Sequence, residues 1–207
     1  MRMILVVCAV AQELSALAPR AGVDVVAVGV GPVEAALGTA RALAAKPYQF
    51  AINAGIGGGF RKLAKIGDAI AITESYFVDL GLEGGGELNL PGGVTLADRI
   101  AGDVDLLEWY GSSIEHARRG IGLTSATITT TDARAAQLAL RFSPTIEAME
   151  GFGVLRAAKL ACVPALELRG VSNYVGNRAA GEWNFRAGAN AVVAALETLL
   201  DVLERNA

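Results

Sequence analysis

Ser172-Asn173 ends the run Leu168-Arg169-Gly170-Val171 and leads into Tyr174-Val175-Gly176. A buried apolar strand ending in side chains that donate and accept is typical of a small-molecule site at the carboxyl edge of an α/β sheet. Alone, the pair is better read as an Asn that caps or turns the chain. Three other strand ends change that. Glu13 stands just past the first apolar run, where it can serve chemistry or simply be the acid that a helix start favours. Glu150 follows a short run, Thr145 to Met149, with Gly151 behind it. A carboxylate there can accept from two neighbouring hydroxyls, the geometry of a ribose 2′,3′-diol, and a helix-start acid explains it as well. Gly55, Gly57, Gly58 and Gly59 would let backbone N–H groups approach a ligand closely, in a binding loop after the third strand. A dinucleotide fingerprint needs Gly at position 60, where Phe60 stands, and no Gly-Lys-Ser/Thr follows for a P-loop.

The elements that must hold these residues belong to an apolar chain. Of 207 residues, 53% are hydrophobic and 19% charged, so much of the chain must be buried. No Pro/Ser-rich or charge-rich stretch divides it, which predicts one domain over residues 1–207. Apolar runs of strand length alternate with Ala-rich helical stretches: an α/β fold, a three-layer α/β/α sandwich around a twisted mixed β-sheet. Strands are expected at 3–10, 24–30, 49–54, within 67–79, and at 121–130, 145–149 and 164–172. Helices are expected from Pro32 to Ala45, over 96–110, after a cap at Thr131 or Asp132, over 151–160, and over 185–204.

A net charge of −3 gives no electrostatic reason to expect nucleic acid or an anionic membrane as partner. Cys8 and Cys162 lie in apolar stretches and read as small core residues, while His116, beside Arg118 and Arg119, reads as a surface residue. Neither offers a metal cluster, and none is expected. The first ten residues look like a short signal peptide, but Gln12-Glu13 stand where a cleavage site would be wanted. A buried first strand and a cytoplasmic protein are expected.

Taken in order, the segments resemble the purine nucleoside phosphorylase/nucleosidase superfamily. They are the strand before Glu13, Val28-Gly29-Val30-Gly31-Pro32-Val33-Glu34, Asn53-Ala54-Gly55-Ile56-Gly57-Gly58, Lys65-Ile66-Gly67-Asp68, Ala148-Met149-Glu150 and Arg169-Gly170-Val171-Ser172-Asn173. The resemblance spans nearly the whole chain and is closest to the hydrolytic branch, with methylthioadenosine/S-adenosylhomocysteine nucleosidase and futalosine hydrolase. It implies that Glu13 activates the attacking water, that Met149 and Glu150 hold the ribose, and that Arg169 lies near the water site. Gly58 and Ser172 fall within the implied substrate site. No cofactor is implied, and relatives are commonly dimers, so a homodimer or higher homo-oligomer is expected.

Adenine-specific members of that branch carry Asp where this chain has Asn173. An ionised Asp only accepts, whereas Asn offers a carbonyl and an NH₂ at every working pH. That NH₂ can meet O6 or N7 of a 6-oxopurine, which argues for hypoxanthine over adenine. The segment Tyr174-Val175-Gly176-Asn177-Arg178, then Trp183, is similar to futalosine hydrolase. By that resemblance Trp183 would stack on the aromatic ring of the 5′ arm and Arg178 would pair with its carboxylate. Core anchoring of the last helix and a solvated loop charge are the plainer alternatives.

The leading expectation is N-glycosidic hydrolysis of futalosine to hypoxanthine and dehypoxanthine futalosine on a menaquinone route. Hydrolysis or phosphorolysis of a related nucleoside, methylthioadenosine or inosine, is the second. Non-catalytic nucleoside binding is the third.

Overall fold

The computed structural model describes residues 3–82, 86, 88–114, 117–177 and 183–205. Its strands form one eight-stranded sheet. β1 (Ile4–Cys8) lies between β2 (Val23–Ala27) and β3 (Phe50–Gly59), parallel to both. β8 (Ala165–Tyr174) runs parallel to β3 on its other side and antiparallel to β4 (Ala69–Phe77). β4 pairs with β5 (Arg99–Ala101) and with β6 (Arg118–Thr124), and β6 with β7 (Ile146–Ala148). β7 closes antiparallel against the last two residues of β3, so the strands β3, β8, β4, β6 and β7 form a ring. Across it Ile70, Ile72, Ile146 and Val171 pack together with Ala64.

Because β1 is apolar at every position, it buries both faces. Leu5 and Val7 pack against α1 (Pro32–Ala45) and α4 (Gly151–Leu160) through Ala35, Phe152 and Leu155. Val6, Ile52 and Leu168 pack on the other face against α2 (Val104–Ser113) and α5 (Phe185–Arg205) through Leu106, Leu196 and Leu199. This is the expected sheet between two helical layers. At the N-terminal end of α5, a Cβ on Gly170 would collide with the carbonyl oxygen of Gly188, so the helix sits backbone-to-backbone on β8. That contact places Trp183 and Phe185 above the end of β8.

Three local expectations are corrected. Gly55 to Gly59 continue β3 rather than forming a loop, because the ladder to β8 and then to β7 takes up their backbone groups. The stretch 96–110 is not one helix: Ile100 pairs with Ser75, and α2 begins only after Asp103, whose carboxylate accepts the Leu106 N–H. Cys162 is exposed, at a positive φ just past α4, rather than in the core. Cys8 is buried as expected, and burial first, then Glu13, push its thiol up to about 12. His116 lies outside the described residues. α3 (Asp132–Phe142) is capped by Thr131, which accepts the Arg134 N–H. Among the described residues no helix is long and apolar enough to cross a membrane.

Candidate active site

The ends of β1, β3, β7 and β8 meet at a cleft of about 380 Å³. Glu13, Gly58, Met149, Glu150, Ser172, Asn173 and Trp183 all line it, so the fold gathers residues spread over 170 positions of sequence.

After β1 the chain makes a single 3-10 turn, Ala11–Leu14, which directs Glu13 back over the strand end. Its Oε2 accepts from the N–H groups of Ala9 (3.0 Å) and Val10 (3.2 Å), and Oε1 from the N–H of Ile56 (2.9 Å). Gly55 makes room for this: a Cβ there would lie 2.7 Å from Glu13 Oε1 and 2.8 Å from Arg169 Nη1. A carboxylate has about four acceptor sites, so three bonds fix its position and leave it able to accept from a water.

Glu150 stands at the head of α4, where Oε1 accepts from Gly31 N–H at 3.2 Å and Oε2 from Met149 N–H at 3.3 Å. Arg169 holds the same Oε2 at 3.2 Å through Nη1, which also donates to the Ile56 carbonyl at 3.3 Å. Arg169 is fully buried and is not in the cleft wall: it lies beneath, between the two acids. Burial opposes its charge, but Glu167, Glu150 and Glu13 outweigh that and hold the guanidinium's pKa above its ordinary value.

Glu167 was not singled out above. Its Oε1 accepts from Arg169 Nε at 2.9 Å. Burial raises its carboxyl pKa, against the opposing pull of Arg169. The signal was present in sequence, since a strand buried from Ala165 to Ser172 that carries opposite charges at positions 167 and 169 must pair them.

Asn173 owes its position to an irregularity in β8. Gly57 pairs with Val171 and Gly58 with Asn173, so Ser172 is an extra residue, a bulge. The Ser172 hydroxyl lies 3.3 Å from the Gly57 carbonyl and 2.9 Å from Asn173 Oδ1. Asn173 Nδ2 lies 3.0 Å from the carbonyl oxygen of Tyr174. A carbonyl cannot donate, so the atom facing it is the NH₂, and this fixes the amide orientation. The other N–H is left for a ligand. Gly58 beside it leaves that approach open, because a Cβ would stand 3.1 Å from Nδ2.

Glu147, also unremarked in the sequence, lines the cleft from β7. Oε1 accepts from Thr129 Oγ1 at 2.6 Å and Oε2 from Thr129 N–H at 3.1 Å. Burial raises its pKa, and the two Thr129 bonds counteract that. An acid in the middle of a three-residue buried strand was the available clue.

Trp183 is 62% exposed at the cleft, its ring edge-on to Phe185 with centroids 6.3 Å apart. It is therefore not a core anchor for α5. Arg178 lies outside the described residues. No Lys or Arg is among the described residues that line the cleft, and none of its described walls gathers three metal-ligating side chains.

The arrangement has two acids at one end, a fixed amide donor at the other, and aromatics above. It can place a water between Glu13 and a sugar carbon while Glu150 accepts from hydroxyls. The model of the phosphorylase superfamily matches residues 13–205. Futalosine hydrolase of Streptomyces coelicolor is 40% identical over 194 residues, covering 88% of this chain and 80% of that protein. Futalosine hydrolase of Thermus thermophilus is 32% identical, over 83% of this chain and 78% of that one. Among solved structures, a 5′-methylthioadenosine/S-adenosylhomocysteine nucleosidase of Colwellia psychrerythraea in complex with adenine superposes with a TM-score of 0.84 at 22% identity, covering 98% and 96% of the two chains. Futalosine hydrolase of Helicobacter pylori gives 0.84 at 18% identity over 97% of each. These last two likenesses carry the fold.

Proposed function

The chain belongs to the phosphorylase superfamily and, within it, to the futalosine hydrolases, and from that premise we propose that it hydrolyses the N-glycosidic bond of futalosine. The products are hypoxanthine and dehypoxanthine futalosine. One observation carries hydrolysis over phosphorolysis: the Glu13 carboxylate occupies the N–H groups of Ala9, Val10 and Ile56. A phosphate dianion needs several such donors. Here they hold a built-in anion, and Arg169 is committed to Glu167 and Glu150. A neutral water is the nucleophile that suits this end of the cleft.

In this reading water bonds to C1′ as the C1′–N9 bond breaks, with Glu13 taking the water's proton. The transition state is oxocarbenium-like, and the negative charge of Glu13 and Glu150 beside it stabilises it more than the neutral ground state. Met149 packs on the ribose face and Glu150 accepts from the diol, kept in place by buried Arg169. Asn173 Nδ2 donates to O6 or N7, which helps the base leave as an anion that takes its proton from water. Trp183 stacks on the aromatic 5′ arm.

The test is incubation with futalosine and with inosine, with and without phosphate, followed by chromatography for hypoxanthine. Release from futalosine that phosphate does not accelerate is expected. Phosphate-dependent release, with a sugar phosphate as co-product, refutes hydrolysis. We propose further a single nucleosidase-like domain, cytoplasmic, in keeping with its two unpaired thiols, and a homo-oligomer. Exposed Val30, which lines the cleft, and exposed Val33 and Leu37 in the first half of α1 support the last, and light scattering would measure it.

A further inference from the structure

Glu147 has no part in the chemistry above, yet it is among the residues that line the cleft. In the β3–β7 ladder it stands opposite Gly58, and in the β3–β8 ladder Asn173 stands opposite the same glycine. The two side chains therefore flank a position without a side chain, their backbones about 10 Å apart, two strand spacings. A flat base can lie over Gly58 and be met from both sides.

The two flanks differ in sign. Asn173 offers a hydrogen from Nδ2, while each Glu147 oxygen already accepts from Thr129 and keeps a lone pair free. A 6-oxopurine matches such a pair of walls: it presents O6 and N7 as acceptors and N1–H as a donor. A 6-aminopurine has the opposite polarity at both positions, with an amine at C6 and a bare acceptor at N1. Thr129 clamps the carboxylate with two bonds, so binding costs little further ordering.

We propose that Glu147 is a specificity-determining residue that accepts a hydrogen bond from N1–H of a 6-oxopurine base. The proposal rests on the reading that the cleft holds a purine nucleoside, and it adds a second point of base selection independent of Asn173.

The decisive variant is Glu147→Gln. Its amide oxygen can accept the Thr129 N–H, and its NH₂ can donate to the Thr129 hydroxyl, which rotates to accept. The loop contact survives, while the hydrogen left over points at the base, suiting an N1 acceptor and opposing N1–H. Calorimetric affinities for free hypoxanthine and free adenine read the base pocket without turnover. The hypoxanthine-to-adenine ratio should shift toward adenine by about 10- to 100-fold, the scale of one hydrogen bond to a charged group. A purely structural role leaves that ratio unchanged, and such a result overturns the proposal. A second measurement uses wild-type protein and 1-deazahypoxanthine, in which C–H replaces N1–H: binding should weaken about tenfold or more, and equal affinity overturns the proposal. Futalosine turnover separates the two ideas. A wild type that leaves futalosine intact but shows Glu147-dependent base selection refutes the substrate and keeps the inference. Turnover with an unaltered base ratio in the variant does the reverse, and failure to bind either base refutes the inference.

Discussion

Replacing Glu13 by Gln removes a charge without removing bulk, and the structure gives two separate consequences. The amide oxygen will settle where two donors converge, on the N–H groups of Ala9 and Val10, which turns the amide NH₂ toward the N–H of Ile56. One N–H then faces another donor. An unsatisfied donor of this kind costs about 1–3 kcal/mol. For a chain of this length each kcal/mol lowers Tm by about 2–4 °C, so a drop of roughly 2–12 °C is expected in a thermal melt. Turnover should fall much further. Loss of a general base lowers rates by about 10²- to 10⁴-fold, so kcat for hypoxanthine release should fall by hundreds or more while nucleoside affinity is largely kept. Hypoxanthine release is followed by chromatography and binding by calorimetry, at a temperature well below both melts. A variant that melts lower but turns over near the wild-type rate assigns Glu13 a structural task only and removes it from the mechanism.

Glu150→Gln turns an acceptor facing a ribose hydroxyl into a donor and loosens Arg169. The rate should fall, and a 2′-deoxyribose substrate should lose comparably in the wild type and little more in the variant; additive losses argue against a direct contact. Asn173→Asp should narrow or reverse the preference for the 6-oxo substrate over its 6-amino analogue in kcat/KM, since the carboxylate repels O6; an unchanged ratio sinks its base-reading role. Glu167 binds its proton more tightly folded than unfolded, so from about pH 4.5 upward the folded state holds the extra proton and this residue's contribution to stability falls as pH rises. Relative to wild type, Glu167→Gln should therefore gain in Tm across that window, and a pH-independent difference refutes the buried-acid argument.

The order of strands and helices was legible because continuous apolar runs and Ala-rich stretches alternate along the chain, and Pro32 marked the first helix start. The glycine run misled because Gly55 to Gly59 signal flexibility locally, whereas neighbours from β8 and β7 hold them in a ladder. Leu96 to Tyr110 misled for a similar reason, since pairing of Ile100 with Ser75 is set by a strand some 25 residues away. Of the candidate residues, Glu13, Glu150 and Asn173 were visible as polar interruptions after apolar runs. Arg169 was visible too, but nothing local says that it lies under the cleft. Glu147 and Glu167 escaped notice because each sits inside a strand rather than past its end, where a charge has meaning only once its partners, Thr129 and Arg169, are known.

The extra residue at Ser172 divides β8 into two reading frames. Up to Val171 the strand alternates in step with β3, and each side chain answers to the packing of the sheet; from Asn173 on, the count is offset by one. The tip can thus be rewritten for a different ligand while the trunk keeps its core partners. Conversely, deleting Ser172 would restore the regular frame with Asn173 still opposite Gly58 but without the hydroxyl that lies against its Oδ1, whereas deleting Asn173 would put Ser172 in that place. In this part of the sheet, chain length encodes selectivity as much as residue identity does.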